Sequence, residues 1–171
     1  MNKLHLNHIS TGDVFRNNIR KQTSLGKLAS EYMDQGQLVP DEITVDLLES
    51  ELESYVDSKG FIFDGFPRTL QQAKSFNQLL VKKKLILTLV ISLEVSEEEL
   101  VRRLLNRGLS SGREDDKNEA IIRNRIQVYE KQTSVLKSFY TNQINDSFYS
   151  IDGEQDIQSI FNTIRDIILN Y

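Results

Sequence analysis

The sequence contains no cysteine, no tryptophan and only two prolines among its 171 residues. Without cysteine there are no disulfide bonds and no thiolate metal sites, so we expect no structural zinc, and a reducing cytoplasm is permitted. No apolar run approaches the roughly 20 residues of a membrane span, and the first five residues lack the apolar core of a signal peptide. We therefore expect a cytoplasmic protein with no membrane partner.

A broad positive charge is also missing. Lysine and arginine total 21 against 25 aspartates and glutamates, which gives a formal net charge of −4. General nucleic-acid binding needs a positive surface, so we expect no nucleic-acid partner. The hydrophobic fraction of 39% is enough to build a core, and the length suits one domain. A small anionic ligand held by a few placed arginines remains compatible with this composition.

Helical periodicity interrupted by short apolar runs predicts an α/β protein. Two runs, Phe61–Asp64 and Leu85–Val95, are predicted as buried strands, because continuous apolar or β-branched stretches are typical of parallel sheets. The other predicted elements are a helix after Thr23 or Ser24 that Gly36 stops, a helix after Pro40, a helix capped by Thr69, a helix over about 118–140, a strand over 147–151 and a terminal helix over 157–168.

Two local patterns give further predictions. Ser96 and Glu99 have the spacing of a capping box for the helix that follows the second strand. The segment Gly108–Gly112 contains two glycines and two serines, which predicts a flexible loop with Gly108 and Gly112 as hinges.

The first strand leads directly into a turn with ligand-binding potential. Asp64 ends the strand, Gly65 and Pro67 turn the backbone, and Arg68 follows. Ligands of parallel α/β sheets sit at the carboxyl ends of strands, and the arginine fork binds phosphate oxygens in pairs. The sequence therefore predicts a phosphorylated ligand near Asp64 and Arg68. An isolated arginine on a helix is usually a surface residue, and we interpret Arg20, Arg102 and Arg165 in this way; taken alone, Arg103 and Arg107 are equally well explained so.

Several motifs together resemble one family. In chain order they are His8–Arg16, Gly36–Asp41, Asp64–Thr69 with Gln72, Arg103–Arg107, Gly112–Asp116 with Arg123–Arg125, and Asp152–Gln155. This ordered set resembles the adenylate kinases and their nucleoside monophosphate kinase relatives, and it extends over essentially the whole chain. The short 107–113 segment is similar to the short-lid members of that family.

The resemblance implies a fold and a reaction. The fold would be a P-loop NTPase-like parallel sheet flanked by helices in one domain, residues 1–171, with a small helical AMP-binding lobe at about 10–39 and a short lid at about 107–117. The reaction would be ATP plus AMP giving two ADP, with Mg²⁺, and with no covalent enzyme intermediate. Family members are often monomers, which predicts a monomer if the chain is complete.

The resemblance also implies roles for individual residues. Asp64 would order magnesium-bound water, and Asp115 and Asp116 would help to close the lid. The other implied catalytic residues are Arg68, Arg103, Arg107, Arg113 and Arg125. The implied AMP-binding residues are Thr11, Arg16, Gln37, Leu38, Val39, Gly65, Phe66, Pro67, Arg68, Gln72, Arg113 and Arg125. The implied ATP-binding residues are Arg103, Arg107 and Gln155.

Three side chains favour AMP over UMP or CMP. Uridylate/cytidylate kinases usually carry alanine in place of Thr11 and asparagine in place of Thr69. The Thr11 hydroxyl can donate and accept a hydrogen bond, and the Gln72 amide can pair with the N6/N1 edge of adenine. A UMP or CMP kinase is the alternative within the same class.

The sequence departs from the family in one respect. It contains no G-x-x-x-x-G-K-[ST] segment, and only Met1–Asn7 precede the first motif. The resemblance implies that a central first strand and the P-loop are missing, which would leave apolar strand edges unpaired and turnover near background. The expectation is that the true protein starts upstream of Met1, so that this chain is an N-terminally truncated fragment. The alternative is a decayed or reassigned relative that binds nucleotide or another partner without catalysis.

Overall fold

The computed structural model describes residues 5–55 and 58–170. Four strands and eight α-helices follow one another along these residues. In chain order they are β1 (Asn7–Ser10), α1 (Thr11–Arg20), α2 (Ser24–Met33), α3 (Asp41–Glu53), β2 (Phe61–Asp64), α4 (Leu70–Lys82), β3 (Val90–Glu94), α5 (Glu97–Ser111), α6 (Glu119–Val128), α7 (Val135–Gln143), β4 (Phe148–Asp152) and α8 (Ile157–Leu169).

The strands form two parallel pairs. β1 pairs with β2 in a register that sets Ser10 opposite Asp64, and β3 pairs with β4 with Glu94 opposite Asp152. Within the described residues the two pairs are separate two-stranded sheets. The α/β class and the parallel strand direction are thus confirmed. Because parallel strands are joined by crossover helices, the loops after β1 and β2 emerge at the same edge of their pair.

Helices begin where the sequence offers a capping side chain. The Thr23 hydroxyl accepts from the Gly26 N–H at 3.0 Å, and the Thr69 hydroxyl accepts from the Gln72 N–H at 3.0 Å. Both predicted caps are confirmed. α4 then contributes Phe76 to a core cluster with β1 and α3, and Ala73 to a second cluster with α7. This packing fixes the turn between β2 and α4, where Arg68 lies.

The predicted capping box of α5 is wrong. Ser96 is the N-cap, but its side chain makes no capping hydrogen bond. The Glu99 carboxylate instead accepts from Arg102 and Arg103, each at 2.6 Å, and so does not turn back to the helix start. The Ser96 N–H donates to Glu154 Oε1 at 2.8 Å, a residue 58 positions away.

The two predicted strands are shorter or more exposed than expected. Only Val90–Glu94 of the 85–95 run is a strand, because that is the length over which β4 supplies hydrogen-bond partners. Leu93 is 49% exposed and Ile86 is 88% exposed. All four residues of β2 are half-buried or exposed. The prediction of buried strands is therefore wrong for the described residues, and apolar strand surface remains open.

The predicted loop at 108–112 is also wrong over most of its length. α5 continues through Gly108 to Ser111, and only Gly112 leaves the helix, with φ of 67°. Gly108 is accommodated because it lies against the backbone of Asp116, where a Cβ atom would come within 2.5 Å of the carbonyl oxygen. The glycine thus serves close packing within a helix, and of the two predicted hinges only Gly112 lies at a chain turn.

The predicted helix over 118–140 is interrupted. A π-helical turn, Tyr129–Thr133, separates α6 from α7. The Thr133 hydroxyl on this turn donates to the Arg68 carbonyl oxygen at 2.7 Å.

Among residues 5–55 and 58–170, none of the helices combines the length and the apolar character that a membrane span needs.

Candidate active site

Arginines from distant parts of the chain meet around two carboxylates, Asp13 and Asp116. Asp13, in the first turn of α1, accepts from Arg16 at 2.6 Å and from Arg113 at 3.3 Å, although Arg113 is 100 residues away. The hydrogen bond from Arg16 and the charges of Arg16 and Arg113 hold the pKa of Asp13 below its ordinary value. Asp13 therefore connects the start of α1 to the segment that follows α5.

Asp116 forms the second centre. It is fully buried and accepts from Arg107 Nε at 2.5 Å and from Arg125 at 2.7 Å. Burial favours the neutral acid, but the hydrogen bonds from both arginines outweigh it, so the pKa of Asp116 is lowered. Asp115 adds a 2.9 Å ion pair with Arg125. These contacts tie α5, the 114–116 turn and α6 together.

Arg68 interacts electrostatically with an arginine from each centre, Arg16 and Arg125. It is half-buried, and its Nε donates to the Gly65 carbonyl at 2.7 Å. Burial lowers the pKa of the Arg68 guanidinium, and the nearby positive charges of Arg125 and Arg16 lower it further. Burial likewise lowers the pKa of Arg113, again with help from Arg16. Arg68 and Arg113 thus each lie close enough to neighbouring guanidinium groups to be affected by their charge, and a region of such concentrated positive charge favours an anion.

The turn before Arg68 contacts the start of α1. The Thr11 hydroxyl donates to the Gly65 carbonyl oxygen at 3.4 Å, so both residues border the arginine neighbourhood. Pro67 is half-buried, and Phe66 is buried, with its ring packed edge-on against Phe76 at 5.3 Å between ring centroids. The Phe66 side chain thus belongs to the core, and only its backbone is available at this turn.

Gln72 is engaged on both sides of its amide. Its Oε1 accepts from the Arg68 N–H at 2.8 Å, and its Nε2 donates to Asp41 Oδ1 at 2.8 Å. The side chain is 2% exposed. Thr69 donates to the other Asp41 oxygen at 2.8 Å. The amide is thereby held in one orientation beside Arg68.

The 36–39 turn packs against α6. Gly36 adopts φ of 72°, and a Cβ there would approach the Arg125 side chain and the Ile121 carbonyl to 2.9 Å each. The Asn124 amide donates to the Gln35 carbonyl at 2.6 Å. In the turn itself, side-chain exposure falls along the chain from exposed Gln37 through half-buried Leu38 to buried Val39. The turn therefore lies beside the helix that carries Arg125.

Asp64 is exposed at the end of β2. Its Oδ2 lies 3.3 Å from His8 Nε2 on the neighbouring strand. Among the residues that the structure describes, no group of three or more histidines, cysteines, aspartates or glutamates forms a metal-binding cluster. Mg²⁺ is commonly held by one or two carboxylates together with substrate phosphates, so the single exposed Asp64 is a fitting partner for a metal that arrives with its ligand.

Arg103 points to a different loop from Arg107. Its guanidinium donates to the carbonyl oxygens of Gly153 at 2.7 Å and Glu154 at 3.3 Å. Gln155 is exposed in the same loop, with its amide 3.4 Å from Asp152. The structure thus joins Arg103 to the loop after β4, and joins Arg107, one helical turn later, to Asp116.

Comparison of the sequence with known proteins finds a matching family and several relatives. The sequence model described as adenylate kinase matches residues 1–145. An adenylate kinase of Flavobacterium psychrophilum is 49% identical over 168 residues, which span 98% of this chain and 87% of the relative. One from Bacteroides fragilis is 48% identical over 162 residues, or 95% and 84% of the two chains.

The chain belongs to the adenylate kinase family. The resemblance inferred from the ordered motifs is therefore confirmed, and the chain is assigned to the nucleoside monophosphate kinases, which are phosphotransferases. Membership rests on the sequence, and it gives the convergence of arginines a chemical context. In this adenylate kinase relative the sites of the individual substrates are a separate question.

The structure adds site residues that the motifs did not single out. Asp13 and Asp41 lie inside quoted motifs, yet sequence reasoning gave them no role; the structure makes them partners of Arg16 and Gln72. Thr133, on the π-helical turn, supports the Arg68 turn. Asn124, on α6, supports the 36–39 turn. For Asp13 the available signal was an acidic residue in the same motif as Arg16, since an unpaired arginine cluster repels itself. The Gly36–Asp41 motif contains no arginine and offered no such signal for Asp41.

Proposed function

We propose that this site binds AMP and belongs to an enzyme that converts ATP and AMP into two ADP. The observation that carries the proposal is the meeting of four arginines at two carboxylates, Arg16 and Arg113 at Asp13 and Arg107 and Arg125 at Asp116. Arg68 lies close enough to Arg16 and Arg125 to be affected by their charge. Phosphoryl transfer needs positioning and neutralisation of charge, with little covalent chemistry from the protein. A cluster of fixed guanidinium groups supplies both.

Of the two carboxylate centres, only the one at Asp13 would give up its partners to phosphate. Asp13 holds Arg16 and Arg113 together, and an AMP phosphate would take its place as their acceptor. Asp116 and Asp115 would keep Arg107 and Arg125 oriented from behind, because their own pairing is largely buried. Arg68 would face the phosphates from the β2–α4 turn.

The AMP base would lie near the 36–39 turn. Thr11, the 37–39 backbone and the Gln72 amide would hold the nucleoside, and Gly65–Pro67 would line the phosphate through their backbone. Arg103 and Gln155 would serve the ATP side, which the contacts of Arg103 with the 153–154 backbone support. Within this scheme residues of about 10–39 form the AMP lobe and residues of about 107–117 the lid.

Mg²⁺ would enter with ATP. Asp64 would hold it through an ordered water, and the ion would neutralise charge on the phosphates. The residues present fit this role because Asp64 is exposed at the carboxyl end of β2, close to the arginine neighbourhood. Asp64 contributes to the electrostatics at Arg68, so both groups act on one region.

We further propose that these 171 residues alone have little turnover. They contain no G-x-x-x-x-G-K-[ST] segment, and one well-placed cation in phosphoryl transfer is worth roughly 10³–10⁵ in kcat. A parallel strand between β2 and β3 would unite the two strand pairs into one sheet and bring such a loop beside the arginines. The half-exposed apolar residues of β3 support this placement. Cytoplasmic location and a monomeric state stay predictions.

The missing loop motif favours a second candidate, a protein that binds nucleotide without turnover. Isothermal calorimetry with AMP, ATP, UMP and CMP, together with an assay of ADP formation, separates the candidates. AMP binding with ADP formation supports the kinase; AMP binding without ADP formation supports the silent binder. Tighter UMP or CMP binding than AMP binding contradicts the AMP assignment, and absence of all nucleotide binding contradicts both candidates.

A further inference from the structure

Gln72 is held by two groups that demand opposite ends of its amide. The Arg68 N–H can only donate, and it faces Oε1 at 2.8 Å. The Asp41 carboxylate, when ionised, can only accept, and it faces Nε2 at 2.8 Å. An amide flipped by 180° would set donor against donor and acceptor against acceptor. Because the side chain is 2% exposed, water cannot relieve that mismatch.

Asp41 is itself fixed. Its second oxygen accepts from the Thr69 hydroxyl at 2.8 Å, and that hydroxyl accepts from the Gln72 backbone N–H at 3.0 Å. Asp41 also lies in the first turn of α3, where a carboxylate is favoured by the helix dipole. The carboxylate, the hydroxyl and the amide thus form a closed network between the starts of α3 and α4.

We propose that Asp41 is a positioning residue that sets which nucleobase the site accepts. The inference rests on the proposed AMP site, in which Gln72 meets the base. Each amide atom keeps capacity for one more hydrogen bond, a donor at Nε2 and an acceptor at Oε1; because the side chain is 2% exposed, a base reaches these atoms only by displacing the groups that cover them. The adenine edge offers an acceptor at N1 and a donor at N6, which suits this fixed order. Hypoxanthine offers a donor at N1 and an acceptor at O6, which requires the flipped amide.

The consequence is discrimination between AMP and IMP, two nucleotides of nearly equal shape. A site with fixed polarity leaves buried groups mispaired when the donor and acceptor of the base are exchanged. Calorimetry on the 171-residue chain should therefore show AMP binding at least about tenfold tighter than IMP. Asp41→Ser removes the acceptor yet keeps a residue suited to a helix start, and it should reduce the AMP/IMP ratio at least about fivefold.

Two further variants make the comparison specific. Glu42→Ser removes the neighbouring charge from the same first turn of α3, where Glu42 is exposed, and should leave the ratio unchanged. Asp41→Asn keeps an amide oxygen that can accept from Gln72 and should stay within about twofold of the natural ratio. A natural ratio in Asp41→Ser, or an equal loss in Glu42→Ser, overturns the inference.

A second measurement needs no nucleotide. In the free, ¹⁵N-labelled chain, hydrogen exchange of the Gln72 side-chain amide should be slow, and Asp41→Ser should accelerate it at least about tenfold while Glu42→Ser does not. Equal exchange rates in all three proteins overturn the positioning role. Failure of the natural chain to bind AMP would instead overturn the proposed function and the base selection with it, while the exchange result still reports on the network around Gln72.

Discussion

Asp116 is the residue at which we expect the change of a single atom to reduce stability most. Its two oxygens face two guanidinium groups, and no part of the residue reaches solvent. A buried carboxylate is tolerated only when it is paired and hydrogen-bonded, which is why its pKa falls despite burial. The same geometry makes the arginines dependent on it for orientation.

We expect Asp116→Asn to lower the free energy of unfolding by about 2 kcal/mol, since an amide NH₂ would face an arginine donor. Urea unfolding measured by circular dichroism would give the difference. Glu114→Gln, two residues earlier, removes an exposed ion pair with Lys117 and should change the same quantity by less than about 0.5 kcal/mol. Equal effects from the two changes would contradict the assignment.

Acid should destabilise the fold through Asp13 and Asp116. The pKa of each is lower in the fold than its ordinary value, so the ionised form stabilises the fold above a pH of about 4, and this stabilisation is lost as the pH falls through the lower, folded pKa. Urea titrations between about pH 5 and pH 2 should show a steep decline. The decline should be shallower in Asp116→Asn; an unchanged slope would argue against a contribution from this carboxylate.

At the scale of the elements, α5 shows how packing overrides local preference. A glycine in a helix interior is unfavourable, and the Gly108–Gly112 stretch predicts a loop. The helix nevertheless continues to Ser111, because the absence of a side chain at Gly108 lets the Asp116 backbone approach. The contact places Asp116 within reach of Arg107, one residue before the glycine.

Gly108→Ala therefore tests packing against propensity. Helix propensity alone predicts a gain of about 1 kcal/mol, but the added Cβ would lie 2.5 Å from the Asp116 carbonyl oxygen. We expect a net loss of about 1–3 kcal/mol in the free energy of unfolding. Ser110→Ala, exposed on the same helix, should be neutral or slightly stabilising. A stabilised Gly108→Ala protein would show that the Asp116 backbone yields easily.

At the scale of the whole molecule, apolar surface is left open. The strands form two separate pairs, and α8 presents Ile157 at 87% and Phe161 at 55% exposure. No residue of α8 is buried, although its apolar residues recur at helical spacing. Open strand edges and an uncovered helix face of this kind favour association with another chain.

Joining an N-terminal segment with an apolar strand, a G-x-x-x-x-G-K-[ST] loop and a helix should raise the unfolding midpoint by about 10 °C. ADP formation should rise by at least roughly 10³-fold. Calorimetry and a coupled assay measure the two effects. Replacing the loop lysine by alanine serves as the control: the midpoint should stay high while the rate falls. A segment that changes neither quantity would contradict the proposed strand position.

The resemblance of the ordered motifs was enough to predict the family, and local spacing was enough to predict most helices. A few neighbouring residues encode the caps at Thr23 and Thr69 and the turn at Asp64–Arg68. The order of the arginine motifs can be read directly along the chain. The sequence alone also limited the chemistry, because it has no cysteine and no net positive charge.

Only the tertiary structure decided which groups meet. Arg113 reaches Asp13 across 100 positions, and Glu154 takes the capping role predicted for Glu99. The length of β3 and the orientation of the Gln72 amide likewise depend on β4 and Asp41, which are remote in sequence. The continuation of α5 through Gly108 depends on a packing contact with Asp116 that the local pattern does not show. Hydrogen bonds and steric contacts act over a few ångströms in space, and a linear pattern does not record those distances.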